Sequence, residues 1–307
     1  MWILKFIRFP NLLIVALTQY LLCFLLLRPW FHQHHIATSL DGFHFFLLVL
    51  TTVLIAAAGY VINDLFDYSA DTWNKPDQVF IHKKITPDGA RKLYAGLVAT
   101  GGAIAIYLAL HVGQFPLFFI YPVAVGLLWL YSRHFKKGIL VGNIIVSLFC
   151  AFVAGIVLFA EREAFFELWK SDPDAARWIW TIFGGYLAFA FYSTLFREII
   201  KDLEDMEGDQ RQHCRTLPIV FGMTAAKRVG LFTGAFLWVL VAIFGLFLWQ
   251  KGKLAGLAFT IAGLLSPLSY ALFRLPRTNE KTGFHRLSQL AKYIMLAGLV
   301  LLLILAF

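Results

Sequence analysis

The sequence has 307 residues, of which 60% are hydrophobic and only 15% charged, with a formal net charge of +9. Soluble domains carry about 25% charged and about 45–50% apolar residues, so a water-soluble globular fold is excluded and the bilayer is the natural solvent. The basic residues sit in short segments between apolar runs, which speaks for topology and contact with anionic membrane lipids and against a nucleic-acid partner.

A bilayer-crossing helix needs about 20 mostly apolar residues. Nine runs meet that need: 11–27, 43–62, 92–112, 115–131, 139–160, 178–196, 229–249, 254–273 and 289–306. They predict an all-α integral membrane fold, a bundle of nine transmembrane helices in a single domain spanning 1–307. Lys5 and Arg8 precede the first run as in a signal peptide. Arg28-Pro29-Trp30 ends that run without a small-residue cleavage site, so it is read as a retained first helix.

Most of the 27 lysines and arginines fall before the first span and between spans two and three, four and five, six and seven, and eight and nine. By the positive-inside rule these segments are cytoplasmic, in a multi-pass protein of the cell membrane. The longest outside segment, 161–177, carries Glu161, Glu163, Glu167, Asp172 and Asp174 and reads as a solvated cap. A histidine group, His32, His34, His35 and His44, lies on that same outer side and is assigned no site. Cys23, Cys150 and Cys214 are too scattered for a disulfide framework or a thiolate metal site and read as apolar fillers and a loop thiol.

Two acidic clusters share one spacing. At the inner end of span two stands Asn63-Asp64-Leu65-Phe66-Asp67-Tyr68-Ser69-Ala70-Asp71. At the inner end of span six stands Asp202-Leu203-Glu204-Asp205-Met206-Glu207-Gly208-Asp209. In both, aspartates fall at i, i+3 and i+7, which stacks three carboxylates along one helix face. Like charges so placed repel, and a chain that repeats the arrangement on one membrane face calls for a compensating cation. Carboxylates are hard oxygen donors suited to magnesium, which commonly bridges to phosphates. Two facing ladders could clamp a diphosphate between them. Arg197 and Lys201, beside the second cluster, and Arg133, Lys136 and Lys137, after span four, are the nearby positive groups. Lys75, Lys83, Lys84, Arg91 and Lys92 follow the first cluster.

These residues resemble the UbiA superfamily of intramembrane prenyltransferases, whose pattern is NDxxDxxxD after the second helix and DxxDxxxD after the sixth. Here the two read NDLFDYSAD and DLEDMEGD. The resemblance extends to Tyr131-Ser132 with Lys136, to Gly142-Asn143, and to Thr216-Leu217-Pro218-Ile219 with Gly222. Within the superfamily, the stretch from Arg197 to Asp209 is similar to digeranylgeranylglyceryl phosphate synthase-like members. The chain departs from the family pattern at Asn74-Lys75-Pro76 and Gln78, and at Gln210 to Arg215, in loops that bear on the acceptor.

The resemblance implies magnesium-dependent transfer of a prenyl group, geranylgeranyl by preference, from its diphosphate to a lipid or aromatic acceptor. The leading acceptor is the hydroxyl of geranylgeranylglyceryl phosphate; the alternative is an aromatic ring of quinone biosynthesis, of hydroxybenzoate or homogentisate type. Asn63, Asp64, Asp67 and Asp71 are expected to serve one magnesium and Asp202, Asp205 and Asp209 another, with Asp64, Asp67, Asp202 and Asp205 as the catalytic set. Lys136, Arg197 and Lys201 are expected on phosphate oxygens, and Asn63, Tyr131 and Asn143 at the substrate. An allylic cation needs aromatic faces, for which Phe66, Tyr68, Tyr131 and Tyr192 are candidates, and the tail is expected to leave between helices into lipid. A transporter of anionic solutes would instead place charges near the bilayer midplane, and a non-catalytic scaffold would leave the twin ladders without a task.

Overall fold

The computed structural model describes residues 2–74, 79–113, 117–211 and 213–305; Lys75 and Gln78 lie outside them. Helices dominate the described residues, as they must where lipid offers backbone groups no hydrogen-bond partner. After a short helix, Trp2–Phe6, they are in chain order α1 (Phe9–Gln33), α2 (Gly42–Asn74), α3 (Pro87–Val112), α4 (Leu117–Arg133), α5 (Val141–Ala160), α6 (Arg162–Ser171), α7 (Pro173–Arg211), α8 (Leu217–Gln250), α9 (Leu254–Arg277) and α10 (Lys281–Leu305). Among the described residues, eight of these are long and apolar enough to cross a membrane. The shorter apolar α4 makes the ninth member of the bundle. α6 is short and amphipathic.

Local signals set the ends. Thr86 caps α3 by accepting a hydrogen bond from the Gly89 amide at 3.0 Å, with Pro87 in the first turn, and Gly113 closes the helix in the left-handed region at φ 70°. α8 begins with Leu217-Pro218 and breaks at Gly222, whose φ of 84° favours a residue without Cβ. α1 and α9 each contain a π-helical stretch, Leu22–Leu27 and Thr260–Leu265.

Two helices run past the apolar runs that mark them. The second run, 43–62, continues as helix to Asn74, and the sixth, 178–196, continues to Arg211. Both aspartate motifs therefore lie on the helices themselves, and the i, i+3, i+7 arithmetic applies to real helical faces.

The interior has two large apolar clusters. One joins α1, α5, α6, α7 and the start of α2; the other joins α7, α8, α9 and α10. Without a hydrophobic force between helices in lipid, close approach depends on small residues. Gly298 on α10 is such a place: a Cβ there would lie 2.3 Å from the Phe189 ring of α7. Large side chains such as Phe119, Phe232 and Leu110 point outward and are exposed, as a lipid-facing surface requires.

The 161–177 segment corrects the expectation of a solvated cap at one residue. Glu161 is fully buried, its carboxylate accepting hydrogen bonds from the amides of Ser39 at 2.7 Å and Leu40 at 3.3 Å. Burial pushes its pKa up against those hydrogen bonds. It pins the loop before α2, while Arg28 donates to the Leu40 carbonyl at 3.0 Å. At the same end, His44 is held by Asp41 at 2.9 Å and Tyr107 at 3.1 Å and stacks on His111 with ring centroids 3.5 Å apart.

Candidate active site

A cavity of about 1150 Å³ opens inside the bundle. Its charged end is lined by Asn63, Asp64, Asp67 and Asp71 from α2 and by Asp202, Asp205 and Asp209 from α7. Lys136, Asn143, Arg197, Lys201 and Tyr131 line it too, so every residue expected on magnesium, phosphate or substrate borders one space. Away from the charges the lining turns apolar, through Leu48, Leu108, Val112, Ile120, Ile156 and Ala160 to Leu40 at the far end of the bundle.

The carboxylates are not bare. Asp64 pairs with Arg8 at 2.7 Å, and the Arg8 guanidinium also lies over the Tyr60 ring, 4.7 Å from its centroid. Asp67, only 7% exposed, accepts from Asn63 Nδ2 at 2.7 Å and from the Lys136 ammonium. Asp202 accepts from Asn143 Nδ2 at 2.8 Å. Arg197 and Lys201 converge on Glu198, at 2.8 Å and 3.9 Å, and Glu204 meets His285 of α10 at 2.8 Å. Asp64, Asp67, Arg197 and Lys201 thus each have a charged counterpart that a bound ion or a phosphorylated ligand could replace.

Lys136 owes its position to a tight turn, Phe135–Lys137, between α4 and α5. Gly142 permits it: a Cβ there would sit 2.8 Å from the Phe135 carbonyl oxygen and 2.9 Å from Lys136 Cα. Withdrawal from water acts to lower the Lys136 pKa, but the charge and hydrogen bond of Asp67, with Asp71 behind it, outweigh that and hold it above the usual lysine value.

Cys214, in the loop after α7, also lines the cavity. Burial pushes this thiol up, Asp209 adds to the rise, Lys137 and Lys136 oppose it, and Asp67 raises it further. One side chain feels an aspartate from each ladder. The loop is tied in place by the Arg215 amide, which donates to the Lys137 carbonyl at 2.8 Å.

The aromatic expectations divide. Tyr131 lines the cavity, but Phe66, Tyr68 and Tyr192 do not. Phe66 is 37% exposed and packs edge-on against Trp129, Tyr68 packs against His82, and Tyr192 against Phe236. Tyr60, Phe149, Tyr186 and Phe189 take the cavity positions instead, deeper in the spans. Sequence reasoning also passed over Arg8, Glu198, Glu204 and Lys292 as site residues. Glu198 had a signal, standing between Arg197 and Lys201; Arg8 had none beyond its charge.

Six aspartates bordering one space supply the hard oxygen donors that magnesium takes. Among the described residues no three histidine, cysteine or acidic side chains are gathered as a metal cage. Magnesium is commonly held by one or two carboxylates with waters and substrate phosphates rather than by an all-protein cage, so the donor set fits that ion.

Known proteins resemble this chain in sequence and in fold. The profile of the UbiA prenyltransferase family matches residues 21–292. A digeranylgeranylglyceryl phosphate synthase of Sulfolobus acidocaldarius is 35% identical over 181 residues, 58% of each chain. Another, of Thermococcus sibiricus, is 33% identical over 202 residues, covering 65% of this chain and 62% of that one. The matched region thus spans less than two thirds of these relatives. A solved structure from work on a digeranylgeranylglyceryl phosphate synthase in membranes superposes with a TM-score of 0.65 at 22% identity, over 99% of this chain and 97% of that one. A UbiA homologue from Archaeoglobus fulgidus, bound to GPP and Mg2+, gives a TM-score of 0.54 at 18% identity over 98% and 99% of the two chains. With the family profile covering nearly the whole bundle and both of its aspartate motifs bordering one cavity, the chain belongs to the UbiA prenyltransferase family.

Proposed function

We propose that the protein transfers a geranylgeranyl group from its diphosphate to the hydroxyl of geranylgeranylglyceryl phosphate, forming an ether lipid with magnesium as cofactor. One observation carries this: two aspartate ladders border the charged end of a cavity whose remainder is largely apolar and runs the depth of the bundle. That is the shape of a phosphorylated isoprenoid. The relatives named as digeranylgeranylglyceryl phosphate synthases support the acceptor, and the lysine and arginine bias supports a cytoplasmic charged end.

On this reading Asn63, Asp64, Asp67 and Asp71 hold one magnesium and Asp202, Asp205 and Asp209 the other. Bound there, magnesium neutralises charge on a departing diphosphate. Lys136, Arg197 and Lys201 turn from Asp67 and Glu198 to phosphate oxygens, adding charge stabilisation where the leaving group gathers it. The allylic C–O bond breaks with its electron pair going to diphosphate. Tyr131 and the deeper rings of Tyr60 and Tyr186 face the cation and keep water away. The acceptor oxygen then bonds to the allylic carbon and gives up its proton to a cavity carboxylate. The apolar length of the cavity houses the tail, in place of immediate exit into lipid.

Purified protein given magnesium, radiolabelled geranylgeranyl diphosphate and either geranylgeranylglyceryl phosphate or an aromatic acceptor tests the reading. Label in a lipid of two geranylgeranyl chains, with one diphosphate released per product, is the expected result. Label only in an aromatic product would replace the acceptor, and no diphosphate release with any acceptor would end the enzymatic reading.

A further inference from the structure

Leu40 stands at the end of the cavity remote from the aspartates, and charged side chains from two other parts of the chain hold both of its backbone groups. Its amide donates to Glu161 Oε1 at 3.3 Å, beside the Ser39 amide on Oε2 at 2.7 Å, and its carbonyl accepts from Arg28 of α1 at 3.0 Å. Glu161 directly follows Ala160, which ends α5 and lines the cavity. Leu40 is 1% exposed and Glu161 fully buried. Burying a carboxylate is costly, and neither Glu161 nor Arg28 is near the chemistry; what they do is fix a loop against the cavity. Among the described residues, Leu40, Val112, Leu117 and Ala160 border that end.

Two helices measure the depth. On α2, Leu48 lines the cavity sixteen residues before Asp64; on α5, Ala160 lines it seventeen residues after Asn143, whose amide holds Asp202. At 1.5 Å per residue these stretches are about 24 and about 26 Å long. An extended chain gains about 1.2 Å per backbone bond, three bonds making one residue of polypeptide, so the sixteen bonds of a geranylgeranyl tail reach about 19 Å. Diphosphate and magnesium, with its oxygen ligands at about 2 Å, take up the rest. A fifth isoprene unit adds four bonds, about 5 Å, and leaves the head group no room. Resting on the donor named above, we propose that Leu40 and Ala160 form the floor of the tail chamber and limit the donor to four isoprene units. These two select length by contact with the last unit of the tail. Glu161 and Arg28 are positioning residues, acting through Leu40.

The test reads binding apart from turnover. Purified protein with magnesium is given an equal mixture of geranyl, farnesyl, geranylgeranyl and geranylfarnesyl thiolodiphosphates, whose sulfur at the breaking bond stops the reaction, and mass spectrometry reads the bound fractions. Wild type should retain geranylgeranyl at least about tenfold over geranyl, which buries less apolar surface. It should retain geranylgeranyl at least about fivefold over geranylfarnesyl, which overfills the chamber. Ala160→Phe should move the preference to farnesyl. Leu40→Ala should bring geranylfarnesyl within about twofold of geranylgeranyl, and Glu161→Ala should do the same while keeping farnesyl above geranyl. Each reading is a ratio within one preparation and does not depend on the folded fraction. Equal retention of the two longest tails by wild type, or an order unmoved by both Ala160→Phe and Leu40→Ala, would overturn the floor and send the tail out between helices. The same preparations, given reactive donors and geranylgeranylglyceryl phosphate, separate this inference from the function it rests on. Length order without product keeps the floor and ends the ether-lipid reading; product without length order does the reverse.

Discussion

The Arg8 guanidinium lies 2.7 Å from an Asp64 carboxylate oxygen, across 56 residues of sequence. A residue that reads as a topology signal before the first span is thereby placed on the first aspartate motif. Arg8 occupies the carboxylate that the proposed magnesium needs, so the two compete. Replacing Arg8 with Met should lower the half-saturating magnesium concentration by about threefold, since an ion pair whose arginine is 40% exposed contributes roughly 0.2–1 kcal/mol. Magnesium titration of initial rates measures it. A higher magnesium requirement would mean that Arg8 supports the metal site rather than competing with it.

The aspartates themselves should be far less replaceable. Asp67→Asn or Asp202→Asn keeps the shape but removes a charge on the proposed metal, and turnover should fall at least about 100-fold, the scale of losing one charge-stabilising group. Membrane insertion and melting temperature should change little by comparison. EDTA should abolish wild-type turnover, and added magnesium should restore it. Wild-type rates from Asp67→Asn at saturating magnesium would remove that aspartate from the metal set.

Lys136 gives a pH prediction. Its pKa is raised in the folded protein, chiefly because Asp67 outweighs the cost of withdrawal from water. A raised lysine pKa contributes stability that is fully present below the unfolded value, near 10.5, and is lost as pH climbs through the higher folded value. The difference in melting temperature between wild type and Lys136→Met should therefore be constant from about pH 6 to 9, below lysine's ordinary range. Scanning fluorimetry across buffers reads it directly. A difference that shrinks between pH 7 and 9 would mean that the ammonium is not held by Asp67.

Packing offers a test independent of chemistry. Gly298→Val would drive a side chain into Phe189, whose ring lies 2.3 Å from the position of a Cβ. Overpacking of this kind costs about 1–3 kcal/mol. The variant should melt at a lower temperature, and the double variant Gly298→Val with Phe189→Leu should recover part of the loss. Unchanged melting of Gly298→Val would show that the α7–α10 seam is looser than the contact implies.

Much of the site was legible because its information is local. Asp64, Asp67 and Asp71 share a face through helix geometry alone, and the same holds for Asp202, Asp205 and Asp209. The helices continue past the apolar runs and keep that geometry to the last aspartate of each motif. The aromatic choices divide for a matching reason: Phe66 lies within the first motif but helical rotation turns it from the face the aspartates share, while Tyr68 stands beside that face and is drawn onto His82. Glu161 was misread because an acidic outside segment normally faces water, and only packing against the loop at Ser39 and Leu40 buries it.

What the chain alone determined is the bilayer as solvent, the number of apolar runs and the two carboxylate ladders, because hydropathy and helical periodicity are written in neighbouring residues. What only the tertiary structure decided is which cation meets which aspartate, which rings face the cavity, and that Leu40 and Ala160 border its far end. Those contacts join residues tens to hundreds apart in sequence, and they depend on how helices rotate and pack against one another. No local pattern encodes that rotation.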